Sequence, residues 1–184
     1  MDIEATATGL TYDDLLAIPE DNIRRDLING ALFVTPSPTV RHQRVVLRLG
    51  ALLLAHADRH GGEAHAAPLD VYLSHTSVVE PDVLYLGPRH ADRVDEARII
   101  GPPDLMIEVS SPSTRRHDLV RKRRLYEEHG VPEYWFVDLE RDRIDAYRLD
   151  RGGYGDPEIA GRGSRLASAA VAGFAVSVDE VLGD

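Results

Sequence analysis

Two acidic positions and one lysine carry the strongest chemical signal in this chain. Val78 to Leu86 reads as one strand, in which side chains alternate faces, so Glu80 and Asp82 share a face and Val79 and Val83 share the other. In the next strand, Asp104 to Val109, the face shared by Asp104, Met106 and Glu108 opposes that of Leu105, Ile107 and Val109, which sets Glu108 among apolar neighbours. A buried carboxylate needs a partner. If the two strands are neighbours, Asp82 and Glu108 converge on one hard cation, because Mg²⁺ is held by one or two carboxylates together with waters and substrate phosphates. The Val109 backbone carbonyl is expected to complete the coordination.

The lysine is singular. Of 21 basic side chains, 20 are arginine and one is Lys122. At about 100° per residue, Leu119, Leu125 and Tyr126 define an apolar arc of roughly 120° on a helix. Lys122 falls inside that arc, one turn from Asp118 and Tyr126, while Arg121, Arg124 and Glu128 project from the opposite side. An ammonium there is a compact donor with a shiftable pKa, able to orient or deprotonate a water and to stabilise charge in a phosphorane-like transition state. An arginine stays protonated and needs a wider, planar site. Asp118 is read as an intrahelical partner that orients the lysine. Glu80, Asp70 and Asp104 are candidate supporting ligands, each equally readable as a strand-end or turn residue.

Positioning these groups requires a layered scaffold. Thr11 caps a short helix reaching Ile18, and Asn29-Gly30 between apolar runs marks a hairpin over Asp26 to Val34. Val45, Leu49, Leu52, Leu53 and Ala57 recur at helical spacing within a long helix from Thr39 to Asp58, which Gly61-Gly62 ends. Strands follow over Leu69 to Leu73, Val78 to Leu86 and Asp104 to Val109. A second helix starts at Ser111-Pro112-Ser113 and runs to about His129; then come a strand from Glu133 to Leu139 and a charged hairpin around Asp142 to Leu149. This order predicts one α/β (α+β) domain over 1–184, with a central mixed sheet flanked by two main helices. Its core spans about residues 10–150, and in the tail over 151–184 a late strand is expected at Phe174 to Val178.

Charge and composition narrow the partners. The net charge of −10 argues against polyanion binding over the whole surface, so a nucleic acid would need a local basic patch. Two stretches offer one. Ser113 to Tyr126 carries Arg115, Arg116, Arg121, Lys122, Arg123 and Arg124 against Asp118, and the long helix carries Arg41, Arg44 and Arg48 as a stripe able to follow a phosphate backbone. His42 lies beside that stripe. The lack of cysteine excludes a thiol nucleophile and any Cys-ligated metal, and there is no Gly-rich phosphate loop and no Gly-x-Ser-x-Gly elbow. His56 and His60, one turn apart before the helix end, suit the helix dipole better than a zinc site. The acidic start Met1-Asp2-Ile3-Glu4 and an apolar run no longer than Ala51 to Ala55 lead to the expectation of a cytoplasmic protein without a membrane segment.

The residues also resemble a known family. The runs Val79-Glu80-Pro81-Asp82-Val83 and Pro103-Asp104-Leu105-Met106-Ile107-Glu108-Val109-Ser110-Ser111, then Asp118, Lys122, Tyr126 and Gly130-Val131-Pro132-Glu133-Tyr134-Trp135, resemble the Uma-two family of restriction-endonuclease-like proteins, within the PD-(D/E)XK nuclease superfamily. The resemblance implies a metal-dependent DNA endonuclease in which Asp82 and Glu108 bind Mg²⁺ or Mn²⁺. It further implies a catalytic lysine moved from the position of Ser110 to Lys122, a supporting role for His42, and a homodimer. One departure is Asn29-Gly30-Ala31, where the family commonly has Asp-Gly-Glu; Asp26 retains a nearby acid. That departure motivates an alternative, a catalytically silent nucleic-acid-binding or dimeric interaction protein that keeps the fold.

Overall fold

The structure is a computed structural model that describes residues 3–19, 21, 23–111 and 113–183. Met1 and Asp2 of the acidic start and Pro112 of the expected second-helix start lie outside the described residues. After β1 (Ala5–Ala7), α1 (Tyr12–Leu16) begins at Thr11, whose hydroxyl and amide exchange bonds with Asp14 in a capping box. The hairpin of β2 (Arg25–Ile28) and β3 (Ala31–Val34) turns at Asn29 and Gly30, both with positive φ (50° and 77°), the twist that a two-residue connection needs. Then α2 (Val40–His60) starts at Thr39, whose side chain accepts from the His42 amide, and ends at Gly61. A Cβ on Gly62, the next residue, would collide with the Leu86 carbonyl and the Tyr85 hydroxyl.

The strand expected over Val78 to Leu86 is two strands. Counting on through β4 (Glu63–Ala66) and β5 (Asp70–Ser74), β6 (Ser77–Val79) and β7 (Val83–Leu86) flank a break at Glu80-Pro81-Asp82 and belong to different sheets. Pro81 has no amide hydrogen to give a ladder, so the chain leaves one sheet there and enters the other. Glu80 and Asp82 therefore do not share a strand face. With β8 (Arg98–Ile100), the first sheet runs β1-β3-β2-β6-β5-β8.

The second sheet is the expected central mixed sheet. It comprises β4, β7, β9 (Leu105–Val109), β10 (Glu133–Asp138), β11 (Arg143–Asp150) and β12 (Gly153–Tyr154), with β13 (Glu158–Gly161) also on β11. The β9–β10 pair is parallel and its neighbours are antiparallel. Leu105, Ile107, Val109 and Trp135 pack with α2 on one face, whereas Met106, Tyr134 and Phe136 face the first sheet and the second helix. That helix is irregular: a π-helical segment, His117–Lys122, runs directly into α3 (Arg123–Glu128). The C-terminal stretch is more structured than its composition suggests. There β14 (Arg165–Ala167) pairs with β15 (Ala175–Ser177), and α4 (Val178–Leu182) buries Val178, Val181 and Leu182 in the α2 core. Among the described residues, no helix is long and apolar enough to cross a membrane.

Candidate active site

Strand register brings the two carboxylates together. Val83 lies opposite Ile107 in the antiparallel β7–β9 pair, so Asp82 and Glu108 stand opposite each other one step on, at the sheet end that the Pro81 break opens. Both are buried. Asp82 Oδ2 accepts the Val109 amide at 2.7 Å and lies 3.1 Å from His42 Nε2. Val109 is paired in parallel with Val137, whose carbonyl takes the Ser110 amide. In such a ladder the Val109 amide and carbonyl both turn away from β10, toward Asp82.

The π-helical segment supplies the cation. Lys122, 1% exposed, places Nζ 3.0 Å from Glu108 Oε1 and 3.1 Å from Asp26 Oδ2, and the Tyr126 hydroxyl donates to the same Glu108 oxygen at 2.6 Å. Burial alone would push the ammonium's pKa down, but the Asp26 and Glu108 carboxylates outweigh it and hold it above the ordinary range. The charged ammonium is thus favoured over the free amine at this place. Asp118 is buried on the same face, its pKa pushed well up by burial and by the charge of Glu108. Glu108 is raised as well, by burial and by Asp82, against the pull of Lys122.

Three contributors escape the sequence reading: Arg24, Asp26 and His117. Arg24 Nη1 lies 2.6 Å from Asp82 Oδ1, and its Nη2 lies 3.8 Å from Glu108 Oε2 and donates to the Glu80 carbonyl. Burial opposes ionisation of Asp82, but Arg24 and then His42 hold its pKa below the usual carboxylate range. Asp26 Oδ2 accepts from His117 Nε2 at 3.1 Å as well as facing Lys122. The sequence marks Asp26 only as an acid beside the hairpin, and nothing in the local pattern marks Arg24 or His117, whose partners lie far away in the chain.

Other expected groups sit elsewhere. Glu80 takes a hydrogen bond from the Arg25 backbone, Asp70 accepts from the Tyr12 hydroxyl at 3.2 Å, and Asp104 is held by the Gly87 amide, Arg89 and His90 at the far end of β9. Ala31 packs on the core between the sheets, on the same face of the hairpin as Asp26. The arginine stripe is largely committed to the fold: Arg41 binds the Leu139 carbonyl and Asp142, and Arg48 reaches toward the Val181 carbonyl. Arg115 pairs with Asp138 at 2.8 Å, Arg116 is exposed, and Arg121, expected to look outward, lies over the Phe33 ring. His56 and His60 stack on each other, with His60 Nδ1 on the His56 carbonyl, in place of a zinc pair.

The cleft suits a hard divalent cation. Arg24, His42, Asp82, Glu108, Val109, Asp118 and Lys122 are among the groups that line about 20 Å³ of free space, room for one water-sized guest. With the charge of Asp118 disfavoured by burial and by Glu108, the buried carboxylates of Asp26, Asp82 and Glu108 face two cations, Arg24 and Lys122, which leaves a negative excess that a bound cation would offset. Among the described residues no group of three or more His, Asp or Glu side chains is arranged to hold a metal. Asp82, Glu108 and the Val109 carbonyl offer oxygen donors only, the kind that a hard ion completed by waters takes.

Comparison with known proteins bears on the fold and the family. A solved crystal structure of a "putative nuclease belonging to DUF820" from Anabaena variabilis superposes with a TM-score of 0.78 at 17% identity, covering 94% of this chain and 97% of that one, and so shares its fold. No curated protein matches the sequence. The family model of Uma2, described as "Putative restriction endonuclease", matches residues 12–179, a stretch that includes every group of the cleft, and the chain belongs to that family.

Proposed function

We propose that this protein is a divalent-metal-dependent endonuclease that hydrolyses phosphodiester bonds of DNA. The observation that carries the reading is the pairing of Asp82 with Glu108 at one sheet end, with Lys122 held charged against Glu108. Asp82, Glu108 and the Val109 carbonyl would hold Mg²⁺ or Mn²⁺. A bound ion of this kind acidifies a coordinated water and offsets charge on the phosphoryl oxygens.

The chain's own groups do the positioning. The Val109 amide and His42 fix the Asp82 carboxylate, and Lys122 with Tyr126 fixes Glu108 Oε1, which leaves Oε2 facing the cleft. Lys122 would direct the attacking water and stabilise the extra negative charge of the transition state. Arg24, once released from Asp82, is long enough to meet a non-bridging phosphate oxygen. Next to the cleft a pocket of about 290 Å³, lined by Thr39, Arg41, Ser110, Ser111 and Arg115 among others, is large enough for a neighbouring nucleotide, and Arg44 and Arg116 lie exposed for the backbone beyond it.

The test combines calorimetry with Mg²⁺ and Mn²⁺ and cleavage assays on single- and double-stranded DNA. Asp82→Asn is expected to lose ion binding and cleavage together. Lys122→Arg should retain ion binding and lose cleavage by about 10²- to 10³-fold, the usual cost of removing one transition-state donor. A wild-type protein that neither binds these ions nor cuts either substrate overturns the proposal.

A further inference from the structure

The pocket beside the cleft has room for less than a duplex. Ser111 lines both spaces, and Ser110 and Ser111 directly follow Val109, so the pocket begins about one 3.8 Å residue step beyond the carbonyl proposed to hold the ion. At about 30 Å³ per water, its volume of about 290 Å³ corresponds to roughly ten water-sized groups. That is the bulk of one nucleobase and too little for a base pair.

The lining suits the face and edge of a base better than a phosphate. Arg115 meets Asp138 at 2.8 Å, and Arg41 gives its two Nη groups to the Leu139 carbonyl and to Asp142, so donors that a phosphate would claim are already committed. The Arg41 side chain is nonetheless 47% open, and a guanidinium held by its edge keeps its plane for stacking. Leu139 adds an apolar wall, itself backed by the core. Ser110 is only 3% exposed; its hydroxyl accepts from the Leu139 amide and, among the described residues, has no acceptor for its own proton. A ring nitrogen or carbonyl oxygen of a base would satisfy that buried donor. Glu140, with 78% of its side chain open, offers an acceptor to an exocyclic amine.

We propose that this pocket captures one unpaired base next to the scissile phosphate, so that the substrate is single-stranded or locally unpaired DNA and not a continuous duplex. In a duplex each base is stacked and paired, and must leave the helix at a cost before a concave pocket can take it; in a single strand that cost largely disappears. The word substrate rests on the nuclease reading, whereas capture of a base does not.

Binding without divalent ions, where no cut is expected, separates the two. The probe is a short strand in which 2-aminopurine alternates with thymine, so that any register offers the fluorescent base, whose emission is quenched by stacking on its neighbours. At low salt the wild type should bind this strand at least about tenfold more tightly than its duplex, the worth of one stacked base, with a rise in emission. Leu139→Trp, which fills the pocket, should lower that affinity about tenfold and abolish the rise, and Leu139→Ala, which leaves the space open, should keep both. With Mg²⁺ or Mn²⁺ the wild type should cut the single strand at least about tenfold faster than the duplex. Equal affinity for the two forms, or a Leu139→Trp variant that behaves like the wild type or no worse than Leu139→Ala, overturns the proposal. A duplex cut as fast as the single strand also overturns it and leaves the nuclease reading standing. Tight, emission-raising capture of the single strand with no cutting of either form overturns the nuclease reading and leaves the base pocket.

Discussion

Arg24 and a divalent ion would use the same oxygen of Asp82. The guanidinium lies 2.6 Å from Oδ1 with about a quarter of its side chain (25%) open to solvent, so it has a way out of the cleft. Removing its charge should favour the ion, since a unit charge near 4 Å is worth a few kcal/mol at the effective dielectric of a protein surface. In Arg24→Met, Mn²⁺ measured by calorimetry should bind at least about tenfold more tightly than in the wild type. Equal or weaker binding would show that Arg24 supports the ion site and does not compete for it. At this scale the sequence was informative where chemistry and local periodicity coincide. Glu108, Lys122, Asp118 and Tyr126 lie together, in keeping with their strand and helix spacing; Asp82 joins them from a strand break that the one-strand reading missed, and His42, singled out only by the resemblance, lies against it. Arg24, Asp26 and His117 converge only through tertiary packing: Asp26 meets His117 across 91 positions of chain, and no local pattern encodes that distance.

The elements explain why those side chains meet. In a π turn, bonding runs between residues five apart, and His117 and Lys122 are five apart; both reach Asp26 Oδ2. The apolar arc placed Lys122 on the right side of its helix, but an ideal α-helix would separate it from His117 around the axis. Periodicity alone could not show the extra residue. Deleting Val120, which is 53% exposed on the outside of the segment, should let the turn revert to regular α bonding. The expected outcome is a folded protein that keeps Mn²⁺ binding, because Asp82 and Glu108 are untouched, and loses cleavage by about 10²-fold or more. Retained cleavage would show that the π turn does not position the lysine. The Glu80-Pro81-Asp82 break is the counterpart on the strand side. The apolar run hides it, yet Pro81 announced it, and it is what exposes the Asp82 carboxylate to the cleft instead of fixing it in a continuous ladder.

Over the whole molecule, the site is a seam between two sheets. Arg24 and Asp26 come from the β2 end of the first sheet and Asp82 and Glu108 from the second, so unfolding of either sheet dissolves the charge cluster. The two-sheet division was not legible in the sequence, because it depends on which edge each hairpin joins, whereas the central mixed sheet and its two helices were. The cluster also sets the pH profile. Burial opposes the charge of Asp26 and Asp82, but Lys122 acting on Asp26 and Arg24 acting on Asp82 hold both below their ordinary values. The stability they provide is complete above the unfolded value of about 4 and is lost as pH falls below it. Asp118 works in the opposite sense. Burial and then Glu108 raise it well above 3.8, so in the unfolded chain it releases its proton near pH 4 while in the folded chain it keeps it, and stability declines as pH rises through that interval. Asp118→Asn resembles the protonated acid and removes this decline. Thermal unfolding followed by circular dichroism should therefore show a melting temperature a few degrees above wild type at pH 8 and little difference at pH 4. A variant destabilised to the same extent at both pH values would mean that Asp118 is ionised in the folded protein and that Lys122 compensates for its charge. In that case the cleft holds more negative charge than its directions of shift indicate, and a divalent ion would stabilise the protein correspondingly more.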